Sequence, residues 1–520
     1  MRLTYARVSC LLLASAFVGV LFADLEVTAL NPWADLRRLF IGIVTPDLRA
    51  IDLWSVIWTV SFAVVGVALG SVTGFGLAIL YPKSTAIRRF ALIIRSVHEL
   101  FWALLLIQVF GIGPLTGVLA IALPYAGIFA KVYAEMIEEA DLAAVRVLPF
   151  GTSTISAFAF ARLPEVAERF KTYTLYRLEC GMRSTLVLGF IGLPTIGFHL
   201  ESYFKQGRYS QAAALLGAFY VLIGTRRLWA RPAAVPFLIV FSLWALPASI
   251  GGGSTMANLV RFLGHDIVPL PLRTGALLDP ATWMALAKWF WAIFTTKIIP
   301  GTWQTIVLAQ IALVAAGFLS LVLFPLVSRT FLGPIGQTTG RIVLVVVRST
   351  PEYMLAYLLL QVIGPSMLPA IIALALHNGG IIGYLLGRHA DSLEQRRDAP
   401  SGVELYAFEA VPRMYGQFLA YILYRWEIIV RESAIFGILG VGTLGFHIDG
   451  AISELRFDVA VVLIAVTVVL CAGIDWVSRK LRGSLKIATL PTRLAEAAGA
   501  QAFADKTFAD KTLASTGAAR

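Results

Sequence analysis

The chain contains one segment twice. Residues 173–199 read YTLYRLECGMRSTLVLGFIGLPTIGFH and residues 421–447 read YILYRWEIIVRESAIFGILGVGTLGFH, with twelve of 27 positions identical. Arg177/Arg425, Glu179/Glu427, Arg183/Arg431 and the glycine-rich endings are among the matches. A repeat of half a chain in an apolar background points to a membrane protein built from two related halves. The same charges at the same places in two apolar stretches argue for a role.

The match extends upstream. RSVHELFWALLLIQVFG at 95–111 aligns with RSTPEYMLAYLLLQVIG at 348–364, at an offset of 253 residues rather than 248, so the intervening loop is five residues shorter in the second half. Residues 31–60 and 279–308 are more loosely alike: both open on Asn/Asp-Pro and are rich in aromatic and basic residues. That composition suits a helix at the membrane interface, or docking of an extracytoplasmic partner.

Hydrophobic residues make up 58% of the chain and charged residues 14%. A soluble chain of 520 residues would need far more polar surface. Apolar runs long enough for a bilayer core of about 30 Å recur near 8–23, 55–80, 91–110, 115–133, 173–193 and 209–224, then near 233–249, 302–325, 342–363, 367–386, 420–440 and 457–477. The pattern predicts an all-α polytopic membrane protein with about twelve transmembrane helices in two parallel six-helix repeats. The halves are expected at 1–230 and 231–483, with an Ala-rich tail at 484–520 read as disordered and cytoplasmic. The first run is read as an uncleaved span, because its counterpart at 233–249 is internal.

The net charge of +12 is no nucleic-acid signature here. Arg2 and Arg7, Lys83, Arg88 and Arg89, Arg226, Arg227 and Arg231, Arg388, Arg396 and Arg397, and Arg479, Lys480 and Arg482 fall in alternate short loops. The positive-inside rule makes that side, and both termini, cytoplasmic. Membrane lipids are the expected surroundings. Cys10, Cys180 and Cys471 are isolated in apolar runs, which suits small buried hydrophobes rather than disulfides or a metal site.

Three groups of residues are candidates for function. The first is Arg177, Glu179 and Arg183 with Arg425, Glu427 and Arg431. Glu179 and Arg183 are i, i+4 on a helix. Charges in a span face the protein interior or a water-filled path, so this cluster either locks helices as internal ion pairs or lines a translocation path for an anion. Arg177, Glu179 and Arg183 sum to +1, and Arg425, Glu427, Arg431 and Glu432 to zero, which places any positive field more in the first half. The second group is the i, i+4 pairs Arg95/Glu99 and Arg348/Glu352, read as helix-end chemistry or part of a gate, with Pro351 suited to a first helical turn. The third is the runs containing Gly192 and Gly197, and Gly440 and Gly445, which imply broken helix ends, at a gate or at a close helix contact. His199 with Glu201, and His447 with Asp449, follow these runs and read as polar loops; no metal site and no cofactor is read from the chain. No P-loop, HExxH or Gly-x-Ser-x-Gly motif occurs, so the chain is not expected to be an enzyme.

Both halves resemble the permease subunit of phosphonate-type ABC importers. The family pattern R-x-x-P-E-L-x-W-A, a loop ending in Leu-Pro, Y-T-L-Y-R-x-E-x-x-x-R and a run ending in G-x-G-F is matched here by Arg95–Ala103, Leu163-Pro164, Tyr173–Arg183 and the run ending at Phe198. In the second half it is matched by Arg348–Ala356, Val411-Pro412, Tyr421–Arg431 and the run ending at Phe446. The resemblance covers most of 50–230 and 300–480. It implies a type I ABC importer permease in the bacterial inner membrane, with both halves fused in one chain. It also implies two copies of a partner ATPase docked on cytoplasmic loops, a periplasmic or lipid-anchored phosphonate-binding protein, and import of phosphonate or a related phosphorus oxyanion.

The family's docking loop, E-A-A-x-x-x-G followed by Leu-Pro, is represented by Gly151, Leu163 and Pro164 and by Val411 and Pro412. Its Glu-Ala-Ala positions hold Val145, Arg146 and Val147, Pro149 interrupts it, and the second glycine is replaced by Ala399. Those departures leave open which ATPase binds. The rival reading is a 12-span secondary transporter of a small anion, distinguished by insensitivity to ATP depletion. A membrane-embedded enzyme, disfavoured by the missing catalytic motifs, and a non-transporting remnant are the remaining alternatives.

Overall fold

The computed structural model describes residues 4–140, 147–149, 151–248, 255–393, 396 and 398–485. Among these there is no strand. The first half runs α1 (Tyr5–Val20), α2 (Pro32–Val44), α3 (Leu53–Leu80), α4 (Thr85–Ser96), α5 (Glu99–Phe110), α6 (Pro114–Glu138), α7 (Leu163–Val187), α8 (Ile196–Lys205) and α9 (Tyr209–Gly224). The second runs α10 (Val235–Ala245), α11 (Pro280–Ile293), α12 (Ile299–Leu323), α13 (Arg329–Ser349), α14 (Glu352–Ile363), α15 (Leu368–Asp391), α16 (Val411–Ser433), α17 (Leu444–Ser453) and α18 (Phe457–Ser484). The chain is a multi-pass membrane protein: six of its helices are long and apolar enough to cross a bilayer, or eight if each of two bent pairs counts as one span. The shorter apolar helices are α1, α9, α10 and α14.

Small residues let the central helices approach closely. Gly66, Gly70 and Gly74 form a stripe on α3 against Ile121, Tyr125 and Phe129 of α6; a Cβ at Gly74 would sit 2.5 Å from that of Phe129. Ala312, Ala316 and Ser320 form the corresponding stripe on α12, all fully buried, with Gly379 and Gly383 of α15 packed on the last two. Matching polar contacts cap the helices that follow the glycine-rich runs. Thr59 Oγ1 accepts the Ile196 N–H, and Thr305 Oγ1 accepts the Leu444 N–H, each at 2.9 Å. Each bond satisfies an N–H that a helix start leaves without an intrahelical acceptor.

The leading helix of each half packs on the other half. Gly19 of α1 lies against Ile311 of α12, Ser9 bonds Tyr415 of α16, and the Trp58 indole of α3 donates to Ala245 O at the end of α10. No local pattern announces this exchange.

Two expectations need correction. The runs at 91–110 and 342–363 are not single helices. α4 and α5 meet at 95° across Val97 and His98, where the His98 ring caps α5 by accepting the Leu100 N–H. α13 and α14 are separated by extended Thr350 and by Pro351, the N-cap of α14, since a residue before proline is driven out of the α region. The aromatic segment at 280–293 continues, through a wide turn at Phe294–Ile298, into α12 as one 47-residue helix. Cys10 is exposed rather than buried, and only Cys471 is a buried hydrophobe. The tail expected at 484–520 lies, from residue 486 onward, outside the described residues.

Candidate functional site: an arginine-lined cavity between the halves

One face of α7 carries Arg177, Cys180, Arg183, Ser184 and Val187, and one face of α16 carries Tyr421, Tyr424, Arg425, Ile428, Arg431 and Glu432, both at helical i, i+3, i+4, i+7 spacing. These faces enclose a cavity of about 180 Å³ with His98 and Glu99 from the start of α5, Glu352 and Tyr353 from the start of α14, Arg348 from the end of α13, and His377 and Tyr384 from α15. Arg177, Arg183, Arg425 and Arg431 are thus brought together, with Arg348 as a fifth guanidinium. Of the second candidate group, Glu99, Arg348 and Glu352 face the cavity.

The helix breaks explain where the arginines point. α4 and α13 stop short, which leaves last-turn carbonyls without intrahelical donors. Arg183 Nη1 donates to Arg348 O at 3.0 Å, and Arg431 Nη1 donates to Arg95 O at 2.8 Å. Each arginine therefore reaches from its own half to the broken helix of the other, where a helix C-terminus favours a cation. Arg183 also contacts Cys180 Sγ at 3.1 Å and His377 Nε2 at 3.3 Å. Arg177 donates to the Tyr173 hydroxyl at 2.8 Å and lies over that ring. The Nε groups of Arg183, Arg348 and Arg431 and the Tyr353 hydroxyl are buried without a hydrogen-bond partner among the described residues. Buried donors left unsatisfied are costly, and all four belong to residues that line this cavity.

The i, i+4 ion pairs read from the sequence do not form. Glu179 binds Arg226 at 2.7 Å and Arg348 at 3.9 Å, not Arg183. Glu427 binds Arg95 at 2.5 Å, and Arg95 also meets Asp475 at 3.3 Å. Arg95 and Glu99 sit on different helices, as do Arg348 and Glu352, because the breaks fall between them. Both Glu179 and Glu427 are therefore tied to an arginine of the opposite half and stand outside the cavity lining.

This changes the charge balance. The lining holds five arginines and three glutamates, a formal +2 with neutral histidines, shared equally between the halves. Arg348 enters the cavity and Arg95 does not; Asp475 draws Arg95 away, and the equivalent of Asp475 in the first half is Arg227. His377, from an apolar run, is among the lining residues that sequence reasoning missed, with Tyr353, Tyr384 and Tyr424; its partners Thr350 and Glu352 come from a different stretch of chain.

The glycine-rich runs form the bends beyond α7 and α16. Gly192 and Gly440 adopt φ of +86° and +90°, a left-handed conformation that suits glycine. A Cβ at Gly197 would lie 1.9 Å from Leu186 O, and one at Gly445 1.7 Å from Ala434 O, so backbone meets backbone there. Glu201 pairs with Lys205 at 2.6 Å, and among the described residues no cluster of metal ligands forms around His199 or His447.

At the loops preceding α7 and α16 the two halves again correspond. Gly151 has φ of +89°, Ser153 caps the short helix at 154–157, and Leu163-Pro164 opens α7. In the second half Gly402, not Ala399, takes the positive φ (+63°), and Val411-Pro412 opens α16. Ile155 and Phe160 stand exposed, and so do Val403 and Phe408, 248 residues later. Val145 and Arg146 lie outside the described residues.

Comparison with known proteins decides the family. The chain is 31% identical over 216 residues to the phosphite transport system permease protein PtxC of Stutzerimonas stutzeri, covering 39% of this chain and 78% of that one. This chain belongs to the phosphonate and phosphite transport permease family. It is 27% identical over 457 residues to the phosphate-import permease protein PhnE of Mycolicibacterium smegmatis, covering 82% of this chain and 84% of that one. It is also 25% identical over 118 residues to the putative cryptic phosphonate transport system permease protein PhnE2 of Escherichia coli K12, 22% of this chain and 97% of that one. No family model matches, and no solved structure matches. As a member of the family the chain is the permease of an ABC import system and not an enzyme; ATP hydrolysis resides in a separate subunit.

Proposed function

We propose that the arginine-lined cavity is the translocation path for a phosphorus oxyanion of the phosphonate, phosphite and phosphate class. The observation that carries this is the convergence of five guanidinium groups on one cavity, three with a buried Nε–H that has no partner among the described residues. A planar guanidinium matches a tetrahedral oxyanion through paired hydrogen bonds better than an ammonium does. The names of the relatives, which cover phosphite, phosphate and phosphonate transport, support the substrate class.

One chain supplies both membrane halves, 1–230 and 231–483, as about twelve spans in two parallel six-helix repeats. The similarity to PhnE over most of both chains and to PtxC over less than half of this one supports that layout. Arg183 and Arg431 then act as two related latches, each holding a helix end of the opposite half until the halves separate around substrate. Arg95, Arg348, Glu99 and Glu352 flank these latches, and the bends at Gly192, Gly197, Gly440 and Gly445 form the gate beyond them. Two ATPase subunits dock on the loops around Phe160 and Phe408, each with an exposed hydrophobic pair to bury. A periplasmic or lipid-anchored binding protein delivers the anion, the chain lies in the bacterial inner membrane, and both termini are cytoplasmic.

The test is reconstitution of the chain with its ATPase and binding protein in proteoliposomes. Import of labelled phosphite, phosphate or methylphosphonate that needs internal ATP and persists with a protonophore supports the reading. Uptake driven by an ion gradient without ATP would replace it with a secondary carrier.

A further inference from the structure

The cavity contains a cluster whose ligand chemistry the oxyanion path does not use. Glu352, His377 and Glu432 each offer one ligand atom, and these atoms lie within 4.8 Å of one another. The His377 ring is set by the backbone: Nδ1 lies 2.9 Å from Thr350 O, which makes it the protonated nitrogen and leaves the Nε2 lone pair facing Glu352 Oε2 at 3.8 Å. Glu432 Oε2 accepts from Asn378 Nδ2 at 3.0 Å. A ring N–H bonded to a main-chain carbonyl, and a carboxylate held by a neighbouring side chain, are the outer contacts that orient metal ligands. Asn378 is fully buried, and its Oδ1 has no partner among the described residues.

Among the described residues the two carboxylates also have no direct ion pair with an arginine or lysine. Glu179 and Glu427 have arginine partners, and Glu99 accepts from the Ser184 hydroxyl at 3.1 Å. Among the described residues Glu352 has only His377 within ion-pair distance, and no arginine or lysine nitrogen comes within 4.0 Å of Glu352 or Glu432. Two like charges this close repel, and a shared cation or proton between them relieves the pair more directly than guanidinium groups beyond ion-pair distance. The repeat builds this arrangement once. The positions equivalent to Glu352, His377, Asn378 and Glu432 in the first half are Glu99, Pro124, Tyr125 and Ser184, so only one carboxylate remains there.

We propose that Glu352, His377 and Glu432, with Asn378 behind them, bind one divalent first-row metal ion of the Mn²⁺ or Zn²⁺ type. One imidazole nitrogen with two carboxylate oxygens suits these ions rather than Ca²⁺ or Mg²⁺. Bonds of about 2.0–2.2 Å place the ligand atoms of one tetrahedral ion about 3.3–3.6 Å apart, so the side chains close by up to about 1 Å. Arg183 Nη1, 3.3 Å from His377 Nε2, gives up that contact and keeps its bond to Arg348 O. The site stands whether or not the cavity conducts an oxyanion. Where it does, the ion raises the formal charge of the lining from +2 to +4 and frees one guanidinium edge for the anion.

The full chain, purified in detergent and stripped with EDTA, is titrated with Mn²⁺ followed by electron paramagnetic resonance, and separately with Zn²⁺ followed by elemental analysis. The expected result is one ion per chain, with nitrogen modulation of the Mn²⁺ signal from a single imidazole. His377→Gln abolishes that modulation. Glu432→Ser, which installs the residue of the equivalent first-half position, weakens binding more than about 10-fold, and Asn378→Ala weakens it by about 10-fold. Glu168→Gln, at an exposed site, changes nothing. A wild-type chain that binds neither ion stoichiometrically, or a His377→Gln chain that retains the nitrogen coupling, overturns the proposal. The wild-type stoichiometry and nitrogen coupling decide the matter even if the cavity variants do not fold.

Discussion

Replacing Arg183 by alanine probes the cavity and the latch together. The guanidinium bonds Arg348 O at 3.0 Å, touches His377 and Cys180, and is one of five that face the lumen. Truncation leaves a last-turn carbonyl of α13 without its donor and lowers the formal charge of the lining from +2 to +1. A hydrogen bond from a charged group contributes about 1.5–3 kcal/mol. If the same group also holds the anion in transit, the import rate falls by about 10–150-fold, since about 1.4 kcal/mol is a factor of ten. Arg183→Lys keeps the charge but cannot reach Arg348 O and Cys180 at once, so it recovers part of the rate and little of the thermal stability. The assay is initial uptake of labelled oxyanion in proteoliposomes, with ATPase coupling and melting temperature measured on the same preparations. Arg431→Ala should give a comparable loss, because its bond to Arg95 O is the counterpart. Wild-type uptake by the folded Arg183→Ala protein would refute the argument.

Three further outcomes follow from the packing. Thr59→Val and Thr305→Val each strip the acceptor from a buried helix start, at a cost of about 1–3 kcal/mol read by thermal unfolding in detergent. Gly74→Val puts a side chain where a Cβ already lies 2.5 Å from that of Phe129, so the protein should fail to yield a monodisperse peak on size exclusion, while Gly76→Ala, with open space around it, should not. Phe160→Asp or Phe408→Asp should leave folding intact and weaken ATPase co-purification, since burying a phenylalanine contributes about 1.5–3 kcal/mol; full recovery of the ATPase with both changed would move docking elsewhere.

Much of the site is legible in the sequence because a charge in an apolar run is conspicuous. Arg177, Arg183, Arg425 and Arg431 stand out for that reason, and the internal repeat doubles the signal. Their partners are another matter. A helical i, i+4 rule pairs Glu179 with Arg183, but Arg226 and Arg348 take the glutamate, since bonds across the fold satisfy both Glu179 and the open helix end. Pro351 hints at the break in the second half, but His98 gives no such hint in the first, where the cap rests on ring geometry. The stripe Gly66, Gly70, Gly74 is a readable small-residue pattern. The exchange of α1 and α10 between halves leaves no mark, because any apolar helix packs against any other with the right small residues.

The most direct measurement of the central claim is a cryo-electron microscopy structure of the chain with its ATPase and binding protein, trapped in nanodiscs with phosphite or methylphosphonate. The expected result is tetrahedral density between α7 and α16, within hydrogen-bond distance of Arg183 and Arg431, and at least one of the cross-half bonds to Arg348 O and Arg95 O broken. Substrate density on a route that avoids these arginines, with both bonds intact, would contradict it.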